Sequence, residues 1–421
     1  MKIAHFVQRY PPALGGSEAY FQRLSRYLAV RGHDVTVWTT NALDLEAFWS
    51  IHGRSLPAGE SLDGAVRVRR FSCWVWPLQR YMLKALSFLP GWTWKSLTMS
   101  CNPFATEMWR EAGRTDERVD IVHATAFPYA WPIVCAHRLA RRMNAAFFIT
   151  PFLHLGSPDA PDDATRKQYL APNLRTLLKA ADGVFVQTPS ERDAVRAVGI
   201  DDRRIILQGM GVEPRECTGG DGIRFRDAWR IGGDEIVVGH LANLSFEKGT
   251  NDLLLAAQEA WKRGANFRLV LAGPSMPNFR RVWTMYPCKD RVALLGQLDD
   301  QQKRDFFAGI DVFALPSRSD SFGLVLLEAW CNGVPNIAYR CGGIADVIRH
   351  EQDGLLVKCG PSDRVDLTSI EEFAAGLERL VNDAGLRKRL GNAGRNRTGV
   401  EFRWADKLAI VEREYAQIKR P

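Results

Sequence analysis

Short apolar, β-branched runs alternate along this chain with stretches in which apolar residues recur every three or four positions. The runs at 2–8, 33–40, 66–71, 121–125, 147–152 and 183–189 are bounded by Gly, Pro or polar residues and read as strands. A second series follows at 235–241, 267–274, 291–297, 311–317, 335–339 and 354–358. Helical spacing fills the gaps, for example at 17–31, 165–181, 250–263, 300–309 and 371–390. Such alternation requires right-handed crossovers and parallel sheets. The stretch QGMGVEPRECTGGDG (208–222) has no periodicity and separates the two series as a linker. The pattern therefore predicts an α/β chain with two doubly wound, Rossmann-like domains, 1–210 and 211–398. A final amphipathic helix within 399–421 either closes the second domain or packs back on the first. Ligands of such sheets sit at the carboxyl ends of the strands, and the cleft between two such domains is the expected site.

Length agrees, because 421 residues exceed what one hydrophobic core usually organises. A composition of 46% hydrophobic and 25% charged residues excludes a disordered or collagen-like chain. The net charge of +8 suits an anionic small molecule, an anionic membrane or nucleic acid, and does not choose among them. The eight cysteines form no C-x-x-C pair and suggest neither a disulfide framework nor a zinc site. They read as reduced thiols of a cytoplasmic protein. The apolar part of MKIAHFVQRYPP is too short for a signal peptide, and no apolar run approaches membrane-spanning length.

One segment fits neither domain. Residues 71–109 hold Trp74, Trp76, Trp92, Trp94 and Trp109 beside Arg80, Lys84 and Lys95, without a clean strand signal. It reads as an inserted helical cap on the first domain, as an aromatic and basic patch for lipid headgroups, or as both.

Three stretches carry chemistry. In PALGGSEAYF (12–21), Gly15 and Gly16 allow close backbone approach to a ligand, and Ser17 is placed to cap the following helix. A plain tight turn is the alternative. In LANLSFEKGTND (241–252), Lys248 precedes a helix starting near Thr250, where ammonium and helix dipole both favour a phosphate. In SRSDSFGLVLLEAWCNGVP (317–335), Glu328 interrupts a nearly continuous apolar run. A buried carboxylate needs partners. Either Glu328 pairs with a Lys or Arg and Asp320 is a helix cap, or both face a polar ligand. In the second case the backbone N–H groups of Phe322, Gly323 and Leu324 offer an anion site.

The order GGSE, then F-E-K-G, then D-S-F-G-L-x-L-L-E-A-x-x-x-G-V-P, then C-G-G-I-A-D-V-I with D-G-L-L-V, resembles retaining glycosyltransferase family 4 over essentially the whole chain. The resemblance implies the GT-B fold, two Rossmann-like domains facing across a cleft, with a C-terminal helix crossing back. It also implies no metal and no cofactor besides a nucleotide-sugar donor, UDP- or GDP-linked. By the same resemblance Glu328 binds the donor ribose and Asp320 lies near the sugar and phosphate. Lys248 holds the diphosphate, Gly15 and Gly16 close over it, and His154 contacts the transferred sugar. Two positions depart from the family pattern: Asp320 stands where Glu is usual, and Asn243 where Arg commonly pairs with the lysine. Arg318 is a nearby candidate for the missing charge.

The expected reaction is transfer of a sugar to an acceptor hydroxyl with retention of configuration, in cell-surface polysaccharide or glycolipid biosynthesis. The acceptor is a glycan or a lipid-linked molecule reached by peripheral contact with the anionic inner membrane face, or else a soluble metabolite. Nucleic acid is not an expected partner. A non-catalytic GT-B protein that binds a nucleotide-sugar or glycan as a scaffold is the competing reading, with a hydrolase or epimerase on the same fold as a third.

Overall fold

A computed structural model of the chain describes residues 1–160 and 162–417. It resolves into two compact units. One comprises Met1–Leu153, Gln168–Gln208 and the chain from Leu408 onward; the other comprises His154–Lys167 and Gly209–Lys407. The second unit thus takes in a short segment of the first half as well as the chain from Gly209 to Lys407. Sequence periodicity shows none of these exchanges, because each is a matter of tertiary grouping.

The first unit contains β1 (Lys2–Val7), β2 (Asp34–Thr40), β3 (Gly59–Asp63), β4 (Val66–Phe71), β5 (Ile121–Ala124), β6 (Ala146–Ile149), β7 (Gly183–Val186) and β8 (Ile205–Leu207). They form one sheet in the order β3-β4-β2-β1-β5-β6-β7-β8, parallel apart from the β3–β4 pair. Strands β5, β6 and β7 are buried throughout, as expected where helices cover both faces. The edge strands β3 and β8 are not foreseen in the sequence. GESLD of β3 has no apolar alternation to read, and β8 spans only three residues.

Inside this sheet lie two histidines. His5 Nδ1 meets Ser25 Oγ at 2.8 Å, and His123 bridges Tyr415 Oη (2.6 Å) and Thr150 Oγ1 (2.8 Å). Burial pushes the His5 pKa down to about 3 and the His123 pKa well below its usual range, so both stay neutral. Tyr415 belongs to the Trp404–Gln417 helix, and its ring packs on Phe148 and Phe185.

The second unit contains β9 (Val237–Leu241), β10 (Arg268–Ala272), β11 (Val292–Gly296), β12 (Val312–Leu315), β13 (Asn336–Arg340) and β14 (Gly354–Lys358). Their order is β11-β10-β9-β12-β13-β14, all parallel. Strand order reverses between β9 and β12, which makes the ends of those two strands the place for a ligand. The Thr250–Lys262 helix covers one face through Leu253, Leu254 and Ala257, beside Phe373, Leu377 and Leu380 of the Leu367–Asn382 helix.

Two expected helices are each divided in two. Pro172 opens a new helix, Pro172–Ala180, after Ala164–Tyr169. Asp383 separates Leu367–Asn382 from Ala384–Val400, its carboxylate accepting from Leu386 N at 2.8 Å. All eight cysteines are free thiols. No helix among the described residues is long and apolar enough to cross a membrane.

The Trp-rich segment folds as two short helices, Gln79–Leu86 and Trp92–Leu97, followed by Thr106–Ala112. Trp76 packs edge-on against Phe104 and Trp92 against His137. These two indoles are half-buried, whereas Trp74 and Trp94 are exposed.

Candidate active site

The ends of β9 and β12 meet through a glycine. Gly249 has φ +71°, and a Cβ there would run into the Pro316 carbonyl, so a side chain would force the two loops apart. Ser245 and Thr250 brace the first loop. Ser245 N donates to Thr250 Oγ1 (3.2 Å), and Lys248 N donates to Ser245 Oγ (3.2 Å).

This packing carries Lys248 to Asp320. Its Nζ lies 2.8 Å from Asp320 Oδ2 and 3.3 Å from the Ser319 carbonyl. The other oxygen, Asp320 Oδ1, accepts from the backbone N–H groups of Gly323 (3.1 Å) and Phe322 (3.4 Å). His154 Nδ1 meets Ser319 Oγ at 2.7 Å. Burial tends to raise the Asp320 pKa, but the Lys248 charge, His154 and the hydrogen bonds outweigh it and hold the carboxyl below its usual range. Burial, aided by Lys248, lowers His154 to about 4 against the opposing pull of Asp320. At neutral pH Asp320 is therefore a carboxylate and His154 a neutral imidazole.

Several residues thus sit differently from expectation. Gly323, at φ +83°, is the cap residue of the Leu324–Cys331 helix, and Asp320 lies ahead of it. The N–H groups of Phe322 and Gly323, expected to face an anion, face the chain's own Asp320 carboxylate. Leu324 opens the helix and is half-buried. Arg318 is no diphosphate ligand. Its guanidinium is fully buried, 2.5 Å from Asp252, donates to the carbonyls of Pro361 and Arg364, and stacks on Phe246. It ties three segments of the unit together.

Glu328 has the ionic partner that its apolar run called for. Lys303 Nζ lies 2.6 Å from Oε1, while Oε2 has no protein partner among the described residues. The pair is half-buried, which leaves one carboxylate oxygen open to another donor.

A cavity of about 460 Å³ opens beside the cluster. It is lined by Asn243, Lys248, Glu247, Met276, Asn278 and Arg281, among others. Asn243 is exposed on its wall. Arg281, on the Pro277–Met285 helix, is a second cation on this cavity and was not legible as a site residue. Its signal is faint, one of two adjacent arginines outside every motif.

In the first unit, Gly15 and Gly16 form the turn from β1 into the Gly16–Val30 helix. Ser17 lies inside that helix and does not cap it; Gly15 holds the cap position without a side-chain bond. A Cβ on Gly15 would collide with the Glu18 carboxylate, whereas one on Gly16 would meet nothing within 4 Å. Glu18 is buried and paired with Arg9 at 2.6 Å, and it accepts from Ser17 Oγ at 2.7 Å. Arg9 also donates to the carbonyls of Leu14 and Leu43. This buried pair holds the turn from beneath. Opposite charges at its two ends were its trace in the sequence.

Two Rossmann-like units, each built on a mainly parallel sheet, are the GT-B architecture. Sucrose-phosphate synthase from Thermosynechococcus elongatus superposes with a TM-score of 0.73 at 22% identity, over 99% of this chain and 98% of that one. Anabaena HepE in complex with UDP and glucose superposes at 0.68 and 16% identity, over 99% and 100%. The chain belongs to the group 1 glycosyltransferases: residues 222–397 match "Glycosyl transferases group 1" and residues 15–211 match "Glycosyl transferase 4-like domain". Among curated relatives, a D-inositol 3-phosphate glycosyltransferase from Xylanimonas cellulosilytica is 26% identical, over 96% of this chain and 92% of its own.

Proposed function

We propose that this glycosyltransferase moves a hexose from a UDP- or GDP-sugar to an acceptor hydroxyl with retention of configuration and without a metal ion. The observation that carries this reading is the Lys248–Asp320 pair at the β9/β12 switch, ahead of the Thr250–Lys262 helix. That helix N-terminus and the Lys248 ammonium favour the charge that develops on a departing diphosphate. Asp320 aims the ammonium and lies near the sugar. Neutral His154 hydrogen-bonds a sugar hydroxyl. The free Oε2 of Glu328 accepts from the ribose. Gly15 and Gly16 are the first unit's donor residues, and the Glu18 carboxylate leaves no room for a side chain at Gly15.

A diphosphate brings more negative charge than one ion-paired lysine offsets, and Glu247 adds another anion to the cavity wall. Asn243 cannot supply the missing charge, so Arg281 takes that part. The protein's work is then positioning and electrostatic stabilisation of the leaving group. A glycosidase needs one carboxyl protonated as general acid, and Asp320, held ionised by its lysine, does not fill that role.

UDP is the first donor base to test, since HepE is described with UDP and glucose. The acceptor is proposed to be a glycan or lipid-linked hydroxyl at the cytoplasmic membrane face, within polysaccharide or glycolipid synthesis. A polyol phosphate, suggested by the inositol-phosphate relative, is the soluble alternative. Incubation with UDP- and GDP-sugars, with and without acceptor and EDTA, tests the reading. Acceptor-dependent nucleotide release unaffected by EDTA, with an anomeric NMR coupling matching the donor, supports it. Binding without turnover on any acceptor would make the protein a scaffold, and acceptor-independent release would make it a hydrolase.

A further inference from the structure

We propose that the Gln79–Leu86 helix and the turn after it form a docking surface for an anionic lipid bilayer. The inference goes beyond sugar transfer and does not rest on the donor site. A helix of a globular domain normally turns its apolar stripe to the core. This one turns it to solvent. At 3.6 residues per turn, Tyr81, Met82, Ala85 and Leu86 share one arc of roughly 140°, and they and Leu78, just ahead of the helix, are all exposed. Leu78 is 70% exposed and Tyr81 75%. The buried side of the helix consists of Gln79 and Leu83, with Gln79 Nε2 donating to the Phe48 carbonyl at 3.2 Å.

The apolar surface continues into Phe88, 81% exposed, and Leu89. Trp94 borders it, its indole N–H donating to the Leu86 carbonyl at 2.6 Å. That bond ties the Trp92–Leu97 helix to the same surface. Residues left exposed by chance are scattered; these are contiguous and held in place.

Charge selects the occupant. Residues 64–106 contain no Asp or Glu, whereas Arg80, Lys84 and Lys95 are exposed around the patch. Arg80 is fixed beside it, 4.8 Å from the centre of the Trp49 ring. Aromatic and aliphatic tips flanked by cations, with no anion among them, complement an acyl boundary beneath negative headgroups.

The test is co-sedimentation of the full chain with phosphatidylcholine vesicles containing increasing phosphatidylglycerol. Binding should rise with phosphatidylglycerol and fall with salt. Leu78→Ser/Tyr81→Ser/Phe88→Ser should weaken it at least about tenfold, and Lys84→Glu/Lys95→Glu should weaken it and flatten the salt dependence. Ile223→Ser/Met285→Ser, exposed apolar positions of the other unit, should bind like the wild type. Wild-type binding by both patch variants, or equal binding to pure phosphatidylcholine, overturns the proposal. So does a concentration-dependent dimer that the triple variant abolishes, with no vesicle binding. Should the triple variant aggregate, the charge variant decides. UDP binding measured on the same variants should not change, which keeps this outcome separate from the donor site.

Discussion

Glu328 and Arg318 show how far apart two charged residues in one motif can stand. Arg318 follows β12 and is sealed in the interior against Asp252, while Glu328 keeps one oxygen open. Their substitutions should therefore fail differently. Glu328→Gln loses a half-exposed pair with Lys303, at a stability cost below about 1 kcal/mol, yet should weaken nucleotide-sugar binding. Calorimetry on the folded variant checks this; unfolding with an intact donor site would make the residue purely structural. Arg318→Met leaves Asp252 buried without its cation and should cost about 3–5 kcal/mol in urea unfolding. Arg281→Ala should weaken UDP about tenfold while leaving uridine unchanged, because a phosphate contact is absent from the nucleoside. Equal loss for both ligands would assign Arg281 to the base instead.

At the scale of elements, most of the sheet was legible because parallel strands buried on both faces are nearly continuous apolar runs. The polar edge strand β3 carried no such signal. Helix boundaries failed where one side chain decides them. The 371–390 pattern hides Asp383, whose carboxylate caps the Ala384–Val400 helix. Asp383→Ala should lower stability by about 1 kcal/mol in thermal or urea unfolding; an unchanged midpoint would mean the helix end is held by packing alone. The site was legible as a set of residues and not as an arrangement. Motif order named Lys248, Asp320 and Glu328, and the family resemblance added His154. That Asp320 absorbs the Phe322 and Gly323 N–H groups, or that Glu18 and Arg9 support the glycine turn, depends on distances no spacing encodes.

At the scale of the whole molecule, four histidines held neutral tie stability to pH. Burial is the leading cause in each: His5 is lowered to about 3, His154 and His240 to about 4, and His123 well below its usual value. An unfolded histidine takes up its proton near 6.5. Between about pH 4 and 6.5 the unfolded chain binds more protons, so stability rises with pH across that window and levels off above it. Fully buried His240, lowered to about 4, alone accounts for a loss of about 3 kcal/mol on acidification through that window. Urea midpoints that stay flat through the window would contradict these environments.

Lys248 is expected to hold a nucleoside diphosphate on the second unit. Isothermal titration of UDP and GDP into the wild type and Lys248→Ala tests it most directly. At least one nucleotide should bind the wild type, and the variant, folded by thermal melt, should bind it at least about tenfold more weakly. Equal affinity of the two proteins would exclude that contact, as would no binding of either nucleotide to the wild type.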